Sequence, residues 1–235
     1  MTDDTTPRSE TRHRFDTELD EIKRAAVSLG GLVLENAGRL TEALLDGRPD
    51  LAQEVIDADE AVDRAYIDLE RRVFRVIALQ QPVASDLRFL ISIIRVAHEI
   101  ERSGDLVVNC AKGISRQHGF HFDNQMQGLL ARLCRASLSL FGSSIESLAA
   151  LDPEAGPRLD HDDDVVDALV GEFYTLLATA AEGMHVDTAI ELSRVGRYME
   201  RIADHAVNIG EHVGFIVTGI FPRHGDIDEE PAGGA

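Results

Sequence analysis

Pairs of acidic residues spaced four positions apart recur in this sequence, and carboxylates at that spacing are well placed to bind a metal ion. The eight candidate ligands are Asp59, Asp63, Glu101, Asp105, Asp163, Asp167, Glu200 and Asp204. Residues four apart on an α-helix share one face, and like charges at that spacing cost about 0.2–0.5 kcal/mol. A bound cation would remove this repulsion, and carboxylate oxygens suit hard ions. The sequence therefore predicts sites for divalent or trivalent metal ions, such as Mn, Mg, Ca, Fe or Zn.

Two segments that carry these pairs repeat one another. Arg95–Ile114, RVAHEIERSGDLVVNCAKGI, aligns with Arg194–Val213, RVGRYMERIADHAVNIGEHV, and both contain Glu-Arg-x-x-Asp-x-x-x-Asn. A solvated acidic face is the alternative interpretation, because the chain has 42 Asp and Glu residues. Four pairs at equivalent positions of two repeats, each beside an apolar helical stripe, favour metal binding instead.

Two arginines also recur in both segments. Arg95 aligns with Arg194, and Arg102 aligns with Arg201. Arg95 and Arg102 are seven residues apart, which places them on one face of a helix. Charge balance within the bundle is the favoured role for these arginines, and a phosphate-binding site is the alternative.

The hydrophobic pattern predicts six long helices and no strands. Three helices in each repeat are joined by short turns, which is typical of antiparallel neighbours. Five of the predicted helices cover about residues 14–46, 50–79, 84–115, 123–150 and 186–218, and the remaining one lies between 153 and 180. The predicted fold class is therefore all-α, with two tandem three-helix bundles related by internal duplication.

The predicted domain boundaries follow from the same pattern. The first three-helix repeat covers residues 14–117 and the second covers 122–219, between a disordered N-terminus of residues 1–13 and an acidic disordered tail of residues 221–235. Superposable bundles are expected, and one continuous six-helix core is not. Asp59 and Asp163 are 104 residues apart, whereas Glu101 and Glu200 are 99 apart. This difference predicts that the repeats differ in the connection between their second and third helices.

Composition excludes several classes of partner. The net charge of −19 and the pI near 4.7 argue against nucleic acid and against an anionic membrane surface. They suit cations or a basic protein partner. The sequence shows no signal peptide and no apolar run long enough to span a membrane. Cys110 and Cys134 do not form a disulfide framework, and we expect buried, reduced thiols in an intracellular protein.

Catalytic patterns are missing from the sequence. It has no glycine-rich phosphate loop and no nucleophile elbow. A ferritin-like di-iron enzyme would need two Glu-x-x-His motifs in a four-helix bundle, and the match Glu182–His185 falls in a predicted loop. We therefore expect a protein that is not an enzyme. A helical metal-storage protein or metalloenzyme, and a metal-free acidic scaffold, are the alternatives.

Two motifs in combination give the chain a family resemblance. Gln81–Arg88, QPVASDLR, and Glu101–Asp105, ERSGD, resemble the PhoU family, and the resemblance extends from Phe15 to Thr218. It implies a cytoplasmic protein, often a homodimer, that binds metal through the acidic pairs. It further implies negative regulation of phosphate-starvation signalling through the phosphate ABC transporter ATPase and a phosphate sensor histidine kinase, without nucleic acid or direct membrane insertion.

Overall fold

Six α-helices make up the computed structural model, which describes residues 6–220, with side chains from Arg12 onward except that of Glu182. The helices are Thr6–Leu45 (α1), Pro49–Gln80 (α2), Ala84–Arg116 (α3), Asn124–Ala150 (α4), Ala155–Ala180 (α5) and Val186–Thr218 (α6), and a 3-10 turn covers Ala181–Gly183. No strand occurs between residues 6 and 220. The all-α prediction is confirmed.

The first helix begins earlier than the sequence predicts. It starts at Thr6, within the N-terminal segment 1–13 for which disorder was expected, although residues 1–5 lie outside the described part of the chain. Arg12 explains part of the extension, because its guanidinium bridges Asp16 at 2.9 Å and Asp86 at 3.0 Å. The predicted acidic tail, 221–235, also lies outside the described residues.

Local sequence accounts for several helix ends. Proline at the first position of α2 has a backbone already suited to a helix start. The Asp123 side chain caps α4 by accepting a hydrogen bond from the Met126 amide at 2.8 Å. α6 ends at Thr218, and the following Gly219 has a φ of 74°, the left-handed conformation that glycine adopts without strain.

The six helices form two three-helix bundles packed side by side. α1, α2 and α3 contact one another, as do α4, α5 and α6, and the bundles meet through α1–α4 and α3–α6 contacts. α2 and α5 therefore lie at the outer edges, while the other four helices are central. α3 and α6 are antiparallel, since Gln117 after the end of α3 accepts a hydrogen bond from Thr188 near the start of α6.

The hydrophobic core runs through both bundles without a break, so the expectation of separate cores is wrong. One cluster of buried side chains includes residues from all six helices. The physical reason is visible on α3, where Leu106, Val107, Val108, Cys110 and Ala111 are all buried. A helix that is apolar around most of its circumference must be covered on several sides.

Two glycines fix the contact between the turns of the bundles. Gly47 follows α1 with a φ of 62°, and a Cβ there would lie 2.7 Å from the Phe120 carbonyl oxygen. Gly119 has a φ of 92°, and its Cβ would lie 2.6 Å from the Gly47 oxygen. Only glycine combines these backbone angles with such close approach.

The length difference between the repeats lies in the helices and not in the connection where it was predicted. α2 runs further beyond Asp63 than α5 runs beyond Asp167, and α3 begins further before Glu101 than α6 begins before Glu200. The link between α5 and α6 is in fact longer than the link between α2 and α3, because it contains the 3-10 turn.

Both cysteines are free and fully buried, as expected for structural thiols. Burial raises the pKa of both thiols, to about 12 for Cys134. A thiol in this state is neutral at pH 7 and is a poor metal ligand or nucleophile.

Candidate metal sites and the family of the protein

The first group of acidic residues lies where α2 packs against α3. Burial raises the pKa of Asp59, and the neighbouring carboxylates Asp63 and Asp105 raise it further. Burial and Asp105 also raise the pKa of Glu101, while His98 opposes the shift. The two pairs, one from each helix, are therefore close enough to repel one another.

The second group occupies the equivalent place between α5 and α6. Burial raises the pKa of Asp163 to about 6, and the carboxylates of Asp167 and Asp204 contribute. Burial and Glu200 raise the pKa of Asp204, against the opposing effect of Arg197. Each bundle thus carries its four candidate ligands on one helix–helix boundary, in the arrangement that the repeated spacing predicts.

The carboxylates do not converge on a single point. Among the described side chains, no group of three or more His, Cys, Asp or Glu residues is arranged to hold a metal ion. Binding a metal would therefore require the side chains to change rotamer. One atom suits such a change: Asp163 Oδ1 is buried and has no hydrogen-bond partner, a condition that costs about 1–3 kcal/mol and that a cation would relieve.

The two sites differ in the group next to their glutamates. In the second, Arg197 forms an ion pair with Glu200 at 2.7 Å. At the equivalent place in the first, His98 lies 4.0 Å from Glu101. A guanidinium is always charged. A metal ion that binds Glu200 must therefore compete with a stronger partner than one that binds Glu101.

A polar contact between the bundles was not predicted. His205 Nδ1 lies 2.5 Å from the Glu99 carboxylate, and the Asn208 amide donates to the same oxygen at 3.3 Å. Burial alone would raise the pKa of Glu99, but these two partners lower it overall. The available sequence signal was the break in the repeat, because Glu99 aligns with Tyr198.

A second contact between the bundles surrounds a buried carboxylate that sequence reasoning missed. Glu191 on α6 is 8% exposed. The Arg116 guanidinium on α3 donates to both Glu191 oxygens at 3.1 Å, and Arg194 donates to Oε1 at 2.8 Å. Arg194 therefore has the charge-balancing role that was favoured for it.

These features define an acidic, two-repeat helical protein with carboxylate groups on matching helix boundaries. None of the described helices is both long and apolar enough to cross a membrane. A family model of the PhoU domain matches residues 26–114 and again residues 130–213. The chain belongs to the PhoU family, and the double match confirms the tandem repeat.

Named relatives agree with this assignment over nearly the whole chain. Phosphate-specific transport system accessory protein PhoU homolog 2 of Mycobacterium tuberculosis is 33% identical over 211 residues, covering 89% of this chain and 98% of the relative. PhoU homolog 1 of Mycobacterium leprae is 33% identical over 212 residues, covering 90% and 94%. The crystal structure of PhoU from Pseudomonas aeruginosa superposes with a TM-score of 0.81 at 25% identity, covering 88% of this chain and all of that one.

Family membership also decides the question of catalysis. PhoU proteins are accessory regulators and not enzymes, so the prediction of a non-enzymatic protein is confirmed.

Proposed function

We propose that this chain is a cytoplasmic negative regulator of phosphate uptake and phosphate-starvation signalling. It acts as a homodimer that contacts the phosphate ABC transporter ATPase and a phosphate sensor histidine kinase. The observation that carries the proposal is the match of both repeats to the PhoU domain. Relatives named as accessory proteins of phosphate-specific transport cover about nine-tenths of the chain. A regulator without catalysis acts by binding one conformation of its partner more tightly than another.

We further propose that the two acidic groups bind Mn, Mg, Fe or Zn. The raised pKa values of Asp59, Glu101, Asp163 and Asp204 support this, because each indicates a carboxylate held close to other negative charge in a partly buried place. Oxygen donors of this kind suit hard cations. Metal binding would tie α2 to α3 and α5 to α6.

A metal-free acidic scaffold is the second candidate function. The observation in its favour is that the ligands of each group do not converge in the described part of the chain. The two candidates differ in one measurable property, which is whether metal changes the stability of the folded protein.

The regulatory proposal is tested in cells by deletion of the gene. Phosphate-starvation genes should be expressed in the deletion strain despite ample phosphate, and the wild-type gene supplied in trans should restore repression. Co-purification from phosphate-replete cells should recover the transporter ATPase and the sensor kinase. Normal repression in the deletion strain, and in a double deletion where a second copy of the gene exists, would defeat the proposal.

The metal proposal is tested by thermal unfolding. A ligand at about 100 times its dissociation constant adds about 2.7 kcal/mol to the free energy of unfolding, which corresponds to a rise in Tm of roughly 5–10 °C for a protein of this size. Mn²⁺ or Fe²⁺ should give this rise, and EDTA should reverse it. Glu101→Gln with Asp105→Asn should reduce it, whereas Asp57→Asn, at an exposed position elsewhere on α2, should not. Identical wild-type curves with and without metal favour the scaffold.

A further inference from the structure

Three guanidinium groups on α3 and α6 have neither an ion pair nor a hydrogen bond among the described residues. They belong to Arg95, Arg102 and Arg201, of which the first two are exposed and the third is half-buried. The other arginines of these two helices have partners, as Arg194 has Glu191 and Arg88 has the Ile216 carbonyl oxygen. In a chain of net charge −19, these three arginines form a basic region across two adjacent helices, and none of them is fully buried.

The exposed faces of α3 and α6 point to the same side of the molecule. The two helices pack against each other, and α1 and α4, which also contact each other, cover their opposite side. α2 flanks α3 and α5 flanks α6, so the helices form a layer in the order α2, α3, α6, α5. Arg95 and Arg102, which we name the basic column, lie on α3 within this layer.

An acidic column lies on the other side of α6. Asp160 and Asp164, about one turn apart near the start of α5, are exposed, and we give this name to those two residues. These two side chains lie on one side of α5, because residues four apart on a helix share a face.

The basic and acidic columns lie at the same position along the axis of α6, on opposite sides of that helix. Glu99 contacts His205, and Arg95 and Arg102 lie one helical turn before and after Glu99. α5 is antiparallel to α6, because Leu159 lies against Gly210 while Phe173 lies against Gly196. This register places Asp163 beside Asp204, the residue next to His205. The acidic column, which surrounds Asp163, therefore lies level with the basic column, about 20 Å away across two helix–helix spacings.

We propose that a second copy of this chain docks face to face on this layer, about a twofold axis parallel to α6. That rotation exchanges the two sides of α6, so the basic column of each copy lies over the acidic column of the partner subunit. The contact is isologous, and every charge pair is made twice. The inference rests on the proposed homodimer, but not on its role in phosphate signalling.

The layer is large enough for a stable dimer. α3 and α6 each have 33 residues, about 50 Å at ~1.5 Å per residue. Three helices at ~9–10 Å spacing give a face of roughly 1,400 Å², above the ~800 Å² per partner of a standard interface. On the twofold axis, α6 of one copy lies against α6 of the other copy. Arg201 and Asp204 are less than one turn apart on this helix, so Arg201 of each copy can pair with Asp204 of the other.

A charge exchange tests this arrangement. Arg95→Glu with Arg102→Glu makes the basic column acidic, and Asp160→Arg with Asp164→Arg makes the acidic column basic. We expect each double variant alone to dimerise at least about tenfold more weakly than the wild type in sedimentation velocity at ~0.1 M salt. An equimolar mixture should form heterodimer with near wild-type affinity, because both column pairs again have opposite charge.

Controls distinguish a specific dimer surface from a general effect of net charge or of unfolding. Arg24→Glu with Arg135→Glu makes the same change in net charge on exposed positions of α1 and α4, behind the layer, and should leave dimerisation unchanged. Circular dichroism melts establish that each variant is folded, and Arg95→Glu alone, with a smaller effect, serves if a double variant unfolds.

Two results would overturn the inference in different ways. A dimer that the column variants do not weaken, or a mixture that does not recover, refutes the surface and leaves the homodimer standing. A wild-type protein that stays monomeric at all concentrations refutes both. Expression of phosphate-starvation genes in the deletion strain is measured independently, so neither result decides the regulatory role.

Discussion

Replacing Asp163 by Asn should stabilise the metal-free protein at neutral pH, although the residue is a candidate ligand. The pKa of this carboxyl rises from 3.8 to about 6 on folding, because it is partly buried beside Asp167 and Asp204. The folded state therefore binds the proton more tightly than the unfolded state. Ionisation of Asp163 consequently lowers the free energy of unfolding, and the amide of Asn avoids that cost.

The size of the effect follows from the shift. Two pKa units correspond to about 3 kcal/mol, and solvent screening of this incompletely buried group reduces the figure to about 1–2 kcal/mol. A gain of that size raises Tm by roughly 3–6 °C. The penalty is absent below pH 3.8, where the carboxyl is protonated in both states. It grows as the pH rises towards 6 and is complete above that value.

Urea unfolding in EDTA between pH 3.5 and 8 measures this difference. The curves of wild type and Asp163→Asn should diverge as the pH rises through that window, with the variant more stable at pH 8. Asp162→Asn, at the exposed neighbouring position, is the matched control and should change stability by less than about 0.5 kcal/mol at any pH. A destabilised Asp163→Asn protein at pH 8, or a difference independent of pH, would refute the reasoning.

Other substitutions test the contacts between the bundles. Glu191→Ala leaves the Arg116 charge without its partner and should cost about 2–4 kcal/mol in urea unfolding; a loss below 1 kcal/mol would contradict the assigned contact. Gly47→Ala forces a left-handed backbone and a clash with the Phe120 oxygen, and should cost about 1–2 kcal/mol by thermal unfolding. Gly38→Ala, on an open face of α1, is its control and should instead stabilise by about 0.5–1 kcal/mol.

Much of the fold was predictable because it depends on local periodicity. The predicted and observed bounds of α6 agree, from Val186 to Thr218. The acidic pairs could be placed on helix boundaries because each follows an apolar position, as Asp59 and Asp63 follow Ala58 and Val62. Four-residue spacing and the repeat were sufficient for this part of the candidate site.

The contacts between the bundles could not be predicted in the same way. They depend on how α3 and α6 align along each other, and no spacing within one helix contains that information. In the sequence alone, Glu191 resembles any exposed acidic residue of a helix. Its contact with Arg116, which belongs to the other bundle, appears only in the folded structure. The convergence of metal ligands is likewise a matter of rotamers, which sequence patterns do not specify.

The ion pairs between α3 and α6 have a consequence for the symmetry of the molecule. If each half were a separate, identical chain, any Glu–His pair across the junction would occur twice. Here Glu99 meets His205, while the corresponding residues at the mirrored position are Tyr198 and Leu106. Joining the halves in one polypeptide permits such one-sided contacts, and they make the two halves chemically distinguishable. A binding partner can therefore recognise one end of this nearly symmetric molecule and approach it in a single orientation.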